Sequence, residues 1–393
     1  MMTGEMNNMR YTFCFFAVIS LTFLTGCWDK NELNEVAVVM GVGIDKVEEE
    51  YQITAQVIKP PAGEGEGGGS ELPTWSLSAK GNTVLGAIRN LNRMSPRRLY
   101  WAHLQVIIFG EELAREGVAP VITWFERDSD SRAGSYLLVT QGTAEDLLNN
   151  KVELENVPAK SMAELLKGAT LRQINTMETQ LRDFMIALST PGIDPVLDVI
   201  NPKEIRGKVE TYELAGVAVF NNDKLKGYIT GPELTGTEIL NNKFNYSIIE
   251  AKCPGNTNKD GFFTFQITGF KSNTVPDLKG EKIIVKVDIT LEGNLLDQTC
   301  NTDLLQPDHL KSVEQEITNY LKGIIENEFK IAKEMDSDIF GIGRDIWRFN
   351  PEFREKLTGS HAYLNNVEFD FRVKSNIRRS GLIIEPTPIK IKE

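Results

Sequence analysis

The sequence predicts an α+β protein of several domains, with a mixed α/β N-terminal part and a C-terminal antiparallel sheet covered by one long helix. Three observations predict it. Strand-like and helix-like segments alternate through the first half of the chain. Three segments of the last third alternate strictly between apolar and polar residues, as strands with one covered face do. Between two of them, residues 307–335 repeat Leu310, Val313, Ile317, Leu321 and Ile324 at helical spacing.

The chain starts with an export signal. Arg10 opens a short positive region, residues 11–24 supply an apolar core of about 14 residues, and small residues precede Cys27 in Leu24-Thr25-Gly26-Cys27. A core of that length is too short to span a bilayer as a helix, which takes about 20 apolar residues. The pattern resembles the bacterial lipobox, in which the cysteine thiol takes a diacylglycerol and becomes the mature N-terminus. Cys27 is then the lipid anchor and residues 1–26 are a signal peptide; an ordinary secretory signal with a coincidental cysteine is the plainer alternative. Two acyl chains hold a protein stably where one gives only marginal binding. The formal net charge of −12 makes the chain a poor partner for nucleic acid, which needs a basic surface. It also sets the average surface against anionic lipid, so a covalent anchor is a sensible way to hold it at a membrane.

What remains after residue 26 suffices for two or three domains of about 100–200 residues. The expected division is 27–205 for a mixed α/β domain, 206–245 for a small hairpin-containing unit and 246–393 for the α+β domain. In the first, residues 37–45 (AVVMGVGID) read as a buried strand and 51–58 as its hairpin partner. Residues 60–73 (PPAGEGEGGGSELP) have nothing to bury and read as a mobile loop. Then come a helix at 83–93, an apolar strand at 104–109 (LQVIIF), helices at 111–116 and 118–127, a strand at 136–140, and a helix at 143–149 capped by Thr143. Two helices follow in 159–188, broken near Gly168 and ended by Ser189-Thr190-Pro191-Gly192. Residues 201–208 read as a junction, and 212–220 with 225–229 as a hairpin around Asn221-Asn222-Asp223-Lys224. The last third gives strands at 263–267, 285–291 and 367–373 and the helix at 307–335, opened by Pro307 and about 40 Å long.

Cys14 leaves with the signal and Cys27 is consumed by lipid, so Cys253 and Cys300 form a candidate disulfide in an oxidising compartment. Two free, half-buried thiols are the other reading. The histidines, His103, His309 and His361, are not spaced as metal ligands on one helix would be and read as structural. Gly41-Val42-Gly43 and Gly341-Ile342-Gly343 are bare G-x-G fragments without the third glycine of a dinucleotide fingerprint. Residues 128–139 begin like a calcium loop but carry Arg132, Ala133 and Val139 where that loop needs a ligand, a glycine and a glutamate. Arg97-Arg98 and Arg378-Arg379 are local basic spots, read as solvated strand ends or as contacts with anionic lipid or an acidic partner. No acid, base and nucleophile assemble, and the expectation is no enzyme, no cofactor, no metal and no direct small-molecule ligand.

Taken together the chain resembles the Ger(x)C family, the lipoprotein C subunits of bacterial spore nutrient germinant receptors. The resemblance starts with Gly26-Cys27-Trp28-Asp29, Glu32-Leu33 and Gly41-Val42-Gly43-Ile44-Asp45. It continues through Arg97-Arg98-Leu99, His103-Leu104-Gln105, Ile108 and Gly110-Glu111-Glu112-Leu113-Ala114 to Glu116-Gly117. Phe125-Glu126-Arg127-Asp128, Arg132 and Gly142-Thr143-Ala144 follow. The final block is Ser337-Asp338-Ile339-Phe340-Gly341-Ile342-Gly343-Arg344, then Pro351 and Ile377-Arg378-Arg379-Ser380-Gly381. The Gly/Glu-rich stretch 63–69 departs from the pattern as a surface insertion. The resemblance implies a non-enzymatic subunit of α+β domains, tethered to the outer face of the inner spore membrane. Its implied partners are two membrane-embedded subunits, A and B, of which B resembles an amino-acid transporter and is the favoured site of nutrient binding. An extracytoplasmic solute-binding lipoprotein that captures a nutrient itself stays open as an alternative, although such proteins usually have two lobes with parallel sheets. The residues 338–344 also suggest a structural hinge, with Phe340 and Ile342 docking onto the sheet where the long helix ends.

Overall fold

The computed structural model describes residues 35–59, 74–128, 130–150, 152–153, 155–169, 174, 176–230, 235–242, 244, 248–254, 261–300, 304, 306–357 and 361–380. The signal, Cys27 and the stretch 63–69 lie outside the described residues. In chain order the first part runs β1 (Val36–Val47), β2 (Glu50–Ile58), β3 (Thr74–Gly81), α1 (Val84–Met94), β4 (Arg98–Tyr100), β5 (Val106–Gly110), α2 (Glu111–Glu116), α3 (Ala119–Arg127), β6 (Tyr136–Thr140), α4 (Ala144–Asn149), α5 (Pro158–Lys167), α6 (Leu181–Ser189), β7 (Val196–Ile205), β8 (Lys208–Asn221) and β9 (Lys224–Ile229). The second runs α7 (Thr235–Leu240), β10 (Ile248–Lys252), β11 (Phe262–Lys279), β12 (Lys282–Gln298), α8 (Pro307–Glu334), α9 (Ile342–Phe349) and β13 (Val367–Ser380).

The first sheet has the order β3-β2-β1-β5-β6-β7-β8-β9, with β4 beside the start of β1. Its middle is parallel, β1 to β5 to β6 to β7, and antiparallel hairpins flank it on both sides. Parallel strands lie between two helical layers, which is why β5 reads VIIFG with every residue buried. Ile107 and Phe109 point to the layer of α1, α2, α3 and α6. Val106 and Ile108 point to the layer of α4 and α5. The bare G-x-G in β1 is a packing feature: a Cβ on Gly41 would come within 2.6 Å of Ala159 on α5, and one on Gly43 within 2.8 Å of Ala144 on α4. Both helices approach the sheet closely because those two positions carry no side chain.

The second sheet has the order β10-β11-β12-β13. The 18-residue β11 and 17-residue β12 form one long hairpin, and α8 lies across the sheet with Val313, Ile317, Leu321, Ile325 and Phe329 buried. The α+β class is as expected, with one correction: β13 runs parallel to β12, not antiparallel. The connection between the two strands runs through the 28-residue α8 and then α9, and about 42 Å of α8 carries the chain back to the end where β12 began, so the next strand enters in the same direction. Cys253 follows β10 and Cys300 follows β12, with their Cα atoms 5.7 Å apart, within the reach of a disulfide.

Residues 201–208, expected as a junction, form the tip of the β7–β8 hairpin, where Arg206 and Gly207 take positive φ. The hairpin at 212–229 is present as β8 and β9, but it extends the first sheet and is not part of a separate unit at 206–245. The reason lies in β8, both of whose faces are buried. Ala218 and Phe220 enter the core of the first sheet, while Val217 and Val219 enter the core under α8.

Phe340 is 4% exposed and sits 5.8 Å from Phe329, whose ring in turn meets Phe369 of β13 at 5.0 Å. Truncating it leaves a cavity at the centre of the second core, so Phe340→Ala should cost about 3–5 kcal/mol. A chemical-denaturation midpoint unchanged by the substitution would refute that packing.

Candidate functional site

The turn after α8 is where the two sheets are fastened. The chain leaves α8 through Asp336, which has φ 51°, and reaches Asp338, whose side chain is fully buried. Its carboxylate accepts the first N–H groups of α9, from Ile342 at 3.1 Å and Gly343 at 2.7 Å, and the Tyr363 hydroxyl at 2.7 Å. Three donors on one carboxylate, two of them at a helix N-terminus, offset much of the cost of burying it. Burial, with Asp194 adding its negative field, nevertheless holds the Asp338 carboxyl above the usual range.

Asp194, in the segment before β7, meets this turn as an antiparallel rung. Its N–H donates to Asp338 O at 2.9 Å, and the Asp338 N–H donates back to Asp194 Oδ2 at 2.9 Å. The other oxygen of Asp194 accepts from Asn222 N at 2.8 Å, so the β8–β9 turn is tied in as well. Around this rung Ser337 Oγ donates to Phe220 O at 2.6 Å and Arg344 N to Gly192 O at 2.8 Å. Gly192 has φ 76°, and a Cβ there would fall 2.4 Å from Arg344 N, so only glycine allows this contact.

His361 closes the joint, with Nε2 2.9 Å from Asp194 Oδ2 and a side chain only 13% exposed. Burial pulls its imidazole pKa down, but the carboxylate of Asp194, backed by Asp338 and Asp336, outweighs that and raises it above the ordinary value. The pair is a contact across the joint between Asp194 and the segment before β13.

A cleft of about 1300 Å³ opens beside the joint, lined by α6 with Asp183 and Phe184, by α7 with Glu238 and by α9 with Arg344, Trp347 and Arg348. Buried carboxylates surround its floor. Asp198 accepts Met177 N and Glu178 N, both at 2.9 Å, yet burial pushes its carboxyl up to about 7. Burial and the charges of Asp198, Glu328 and Glu178 push Glu238 up to about 8. Glu328 of α8 is fully buried and takes Thr237 N at 2.9 Å together with the Thr237 hydroxyl, which fixes α7 to α8. Among the described residues no group of three or more His, Cys, Asp or Glu is placed to hold a metal ion. What the arrangement can do chemically is hold two bodies in one relation and exchange protons with the medium.

The sequence pointed to 338–344 as a hinge with docked Phe340 and Ile342, and the structure buries both. It did not find Asp194, Tyr363 or the role of His361. Asp194 lies 144 positions from Asp338, and a partner at that separation leaves no local pattern. Of the arginines read as surface residues, Arg98 has its Nη2 3.7 Å from Asp130 Oδ2, and Arg132 lies in the turn whose Ala133 carbonyl accepts Arg182 N of α6 at 3.0 Å.

The comparisons with known proteins agree in kind. A family described as "Spore germination protein N-terminal domain" matches residues 29–202, and one described as "Spore germination B3/ GerAC like, C-terminal" matches residues 215–381. Spore germination protein KC of Bacillus subtilis (strain 168) is 27% identical over 411 residues, covering 97% of this chain and 99% of its own. Spore germination protein B3 of the same organism is 22% identical, covering 95% and 98%. The crystal structure of the GerBC protein aligns with TM-score 0.55 and 18% identity over 89% of this chain and 99% of that one, a likeness of fold.

Asp198, Glu238, Asp338 and His361 all hold protons more tightly in the fold than in the open chain. A raised pKa of either kind means that the folded state carries the extra proton, so stability falls as pH rises. Asp198 and Glu238 lose their share from about pH 4 up to about 7 and about 8, and His361 loses its share from about 6.5 upward. The melting temperature should therefore drop between about pH 4 and about pH 8, and Glu238→Gln should flatten that drop. A melting temperature that climbs across the same window refutes the assignment.

Proposed function

Because the chain belongs to the Ger(x)C family of spore germination proteins, we propose that it is the lipid-anchored, non-enzymatic C subunit of a germinant receptor complex. In this reading diacylglyceryl-Cys27 holds it on the outer face of the inner spore membrane, and it supports nutrient-triggered germination through contacts with membrane-embedded A- and B-type subunits. The observation that carries the reading is the ordered match of nearly the whole chain to full-length spore germination proteins, behind a sequence that ends a signal in a lipobox. Two further points support it. Among the described residues no helix is long and apolar enough to cross a membrane. The chain also presents two rigid sheets fastened by a buried joint, a build suited to transmitting contacts.

The alternative, a lipoprotein that captures a nutrient itself, draws on the cleft beside α6, α7 and α9. The second sheet counts against it, since its long hairpin is antiparallel whereas the two lobes of a typical solute-binding lipoprotein carry parallel sheets.

Calorimetry separates the two. A soluble chain starting at Trp28 should show no saturable binding of amino acids or sugars, while the anchored protein should co-purify with polytopic membrane proteins. Micromolar binding of one nutrient without such partners would move the assignment to the alternative. Cys27→Ala should release the protein from the membrane without changing its melting temperature. Retention at the wild-type level, with no lipid mass on the wild type, sinks the anchor.

The same extracytoplasmic setting makes Cys253–Cys300 a bridge in our reading. With a sequence separation of 47, its loss should cost about 4 kcal/mol through loop-closure entropy. Non-reducing peptide mapping checks it; two alkylatable thiols in protein from the native compartment would end the idea.

A further inference from the structure

The first sheet has one corner at which the chain enters from residue 34. There β1 begins at Val36, paired with Arg98 of β4, and the Arg98 N–H donates to Glu35 O at 3.1 Å. The antiparallel register brings the end of β2 and the start of β3 to the same corner, Val39 opposite Val57 and Val57 opposite Trp75. The helix α1 lies on β2 and β3 and runs back toward it, ending in Arg93, Met94 and the turn to Arg97.

Two kinds of side chain collect there. Met94 is 54% exposed and Trp75 39%. Arg93 and Arg98 are exposed and Arg97 is half-buried, with Lys59 at the end of β2. Glu35 and Asp130 are the acids of this corner among the described residues. Residues 60–73, between β2 and β3, carry Glu64, Glu66 and Glu71 and lie outside the described residues. Single exposed apolar residues are ordinary; a tryptophan and a methionine among arginines, on a chain of net charge −12, are the composition of a surface that meets lipid headgroups.

Chain length decides where that surface can be. This step rests on the lipid anchor at Cys27 proposed above. Eight residues separate Cys27 from Glu35 and reach at most about 29 Å fully extended, whereas β1 carries the sheet about another 36 Å from its first residue to its last. The corner at β1's start is thus the part of the first sheet held nearest to the bilayer, and the second sheet is attached across the opposite edge, at β8 and β9. We propose that the corner formed by Trp75, Met94, Arg93, Arg97 and Arg98 lies against an anionic phospholipid surface and fixes the orientation of the anchored protein on it. The arginines supply attraction to headgroup phosphates, and Trp75 and Met94 enter the headgroup layer. An exposed charged contact of this kind weakens with salt, because screening acts over about 10 Å at 0.1 M.

The test uses the full lipidated chain in vesicles of phosphatidylcholine, with or without phosphatidylglycerol, containing lipid brominated in the acyl chains. Quenching that disappears in Trp75→Phe reports Trp75; quenching that disappears in Trp28→Phe reports the anchor next to Cys27. The expected result is Trp75-dependent quenching that grows with phosphatidylglycerol and falls with salt. It should be at least halved in the triple variant Arg93→Glu, Arg97→Glu, Arg98→Glu, while Trp28-dependent quenching stays constant. The lipid and salt series on the unaltered arginines stands even if the triple variant fails to fold. Trp75 quenching that ignores phosphatidylglycerol and salt, on a protein whose mass includes diacylglycerol, overturns the orientation alone. A protein whose mass lacks the lipid overturns the anchor, and this proposal with it.

Discussion

The structure depends on β8 being buried on both faces. Alternation along a strand sends successive side chains to opposite sides, and in β8 each side has its own core: Ala218 and Phe220 complete the first, Val217 and Val219 the second. A strand of this kind cannot be cut from either body without exposing apolar surface, at roughly 25 cal/mol per Å². The two sheets are therefore one cooperative object at this seam. The polar joint at Asp194 and Asp338 then sets the angle that the apolar seam alone would leave free.

Buried carboxylates recur as fasteners. Asp45 accepts Ala144 N and Glu145 N and holds the start of α4 against β1; burial keeps its carboxyl up at about 6. Asp198 does the same for the segment before α6, Glu328 for α7 and Asp338 for α9. In each case a helix or loop begins with unsatisfied N–H groups that no water reaches, and a carboxylate can accept several of them in one place. The cost at Asp45, Asp198 and Asp338 is a carboxyl that holds its proton above the usual range. The same device that positions the helices makes the molecule lose stability as pH rises toward neutral.

This arrangement fits a subunit that works by contact. Its seam is apolar packing and its joint carboxylate capping, both buried, whereas the corner at the start of β1 presents arginine and tryptophan to solvent. Beside the cleft, Asp198 and Glu328 are engaged with backbone N–H groups.

Local pattern by itself determined much of the fold. Thr143 was legible as a cap, and it accepts a backbone N–H as expected; the 28-residue α8 was legible from its apolar spacing, and β5 from its continuous apolar run. These are decided within a few residues, by side-chain size and hydrogen-bonding capacity. The family was legible too, because short blocks in fixed order survive as sequence. What only the tertiary structure decided involves partners far apart in the chain. The parallel entry of β13, the two-sided burial that makes 206–229 part of the first sheet, and the Asp194–Asp338–His361 joint each depend on which surfaces meet after the chain has turned back. Alternating apolar residues are the same in a parallel and an antiparallel strand, and an aspartate reads alike in solvent and in a core. Sequence specifies the period of an element, whereas the packed fold alone specifies what stands opposite to it.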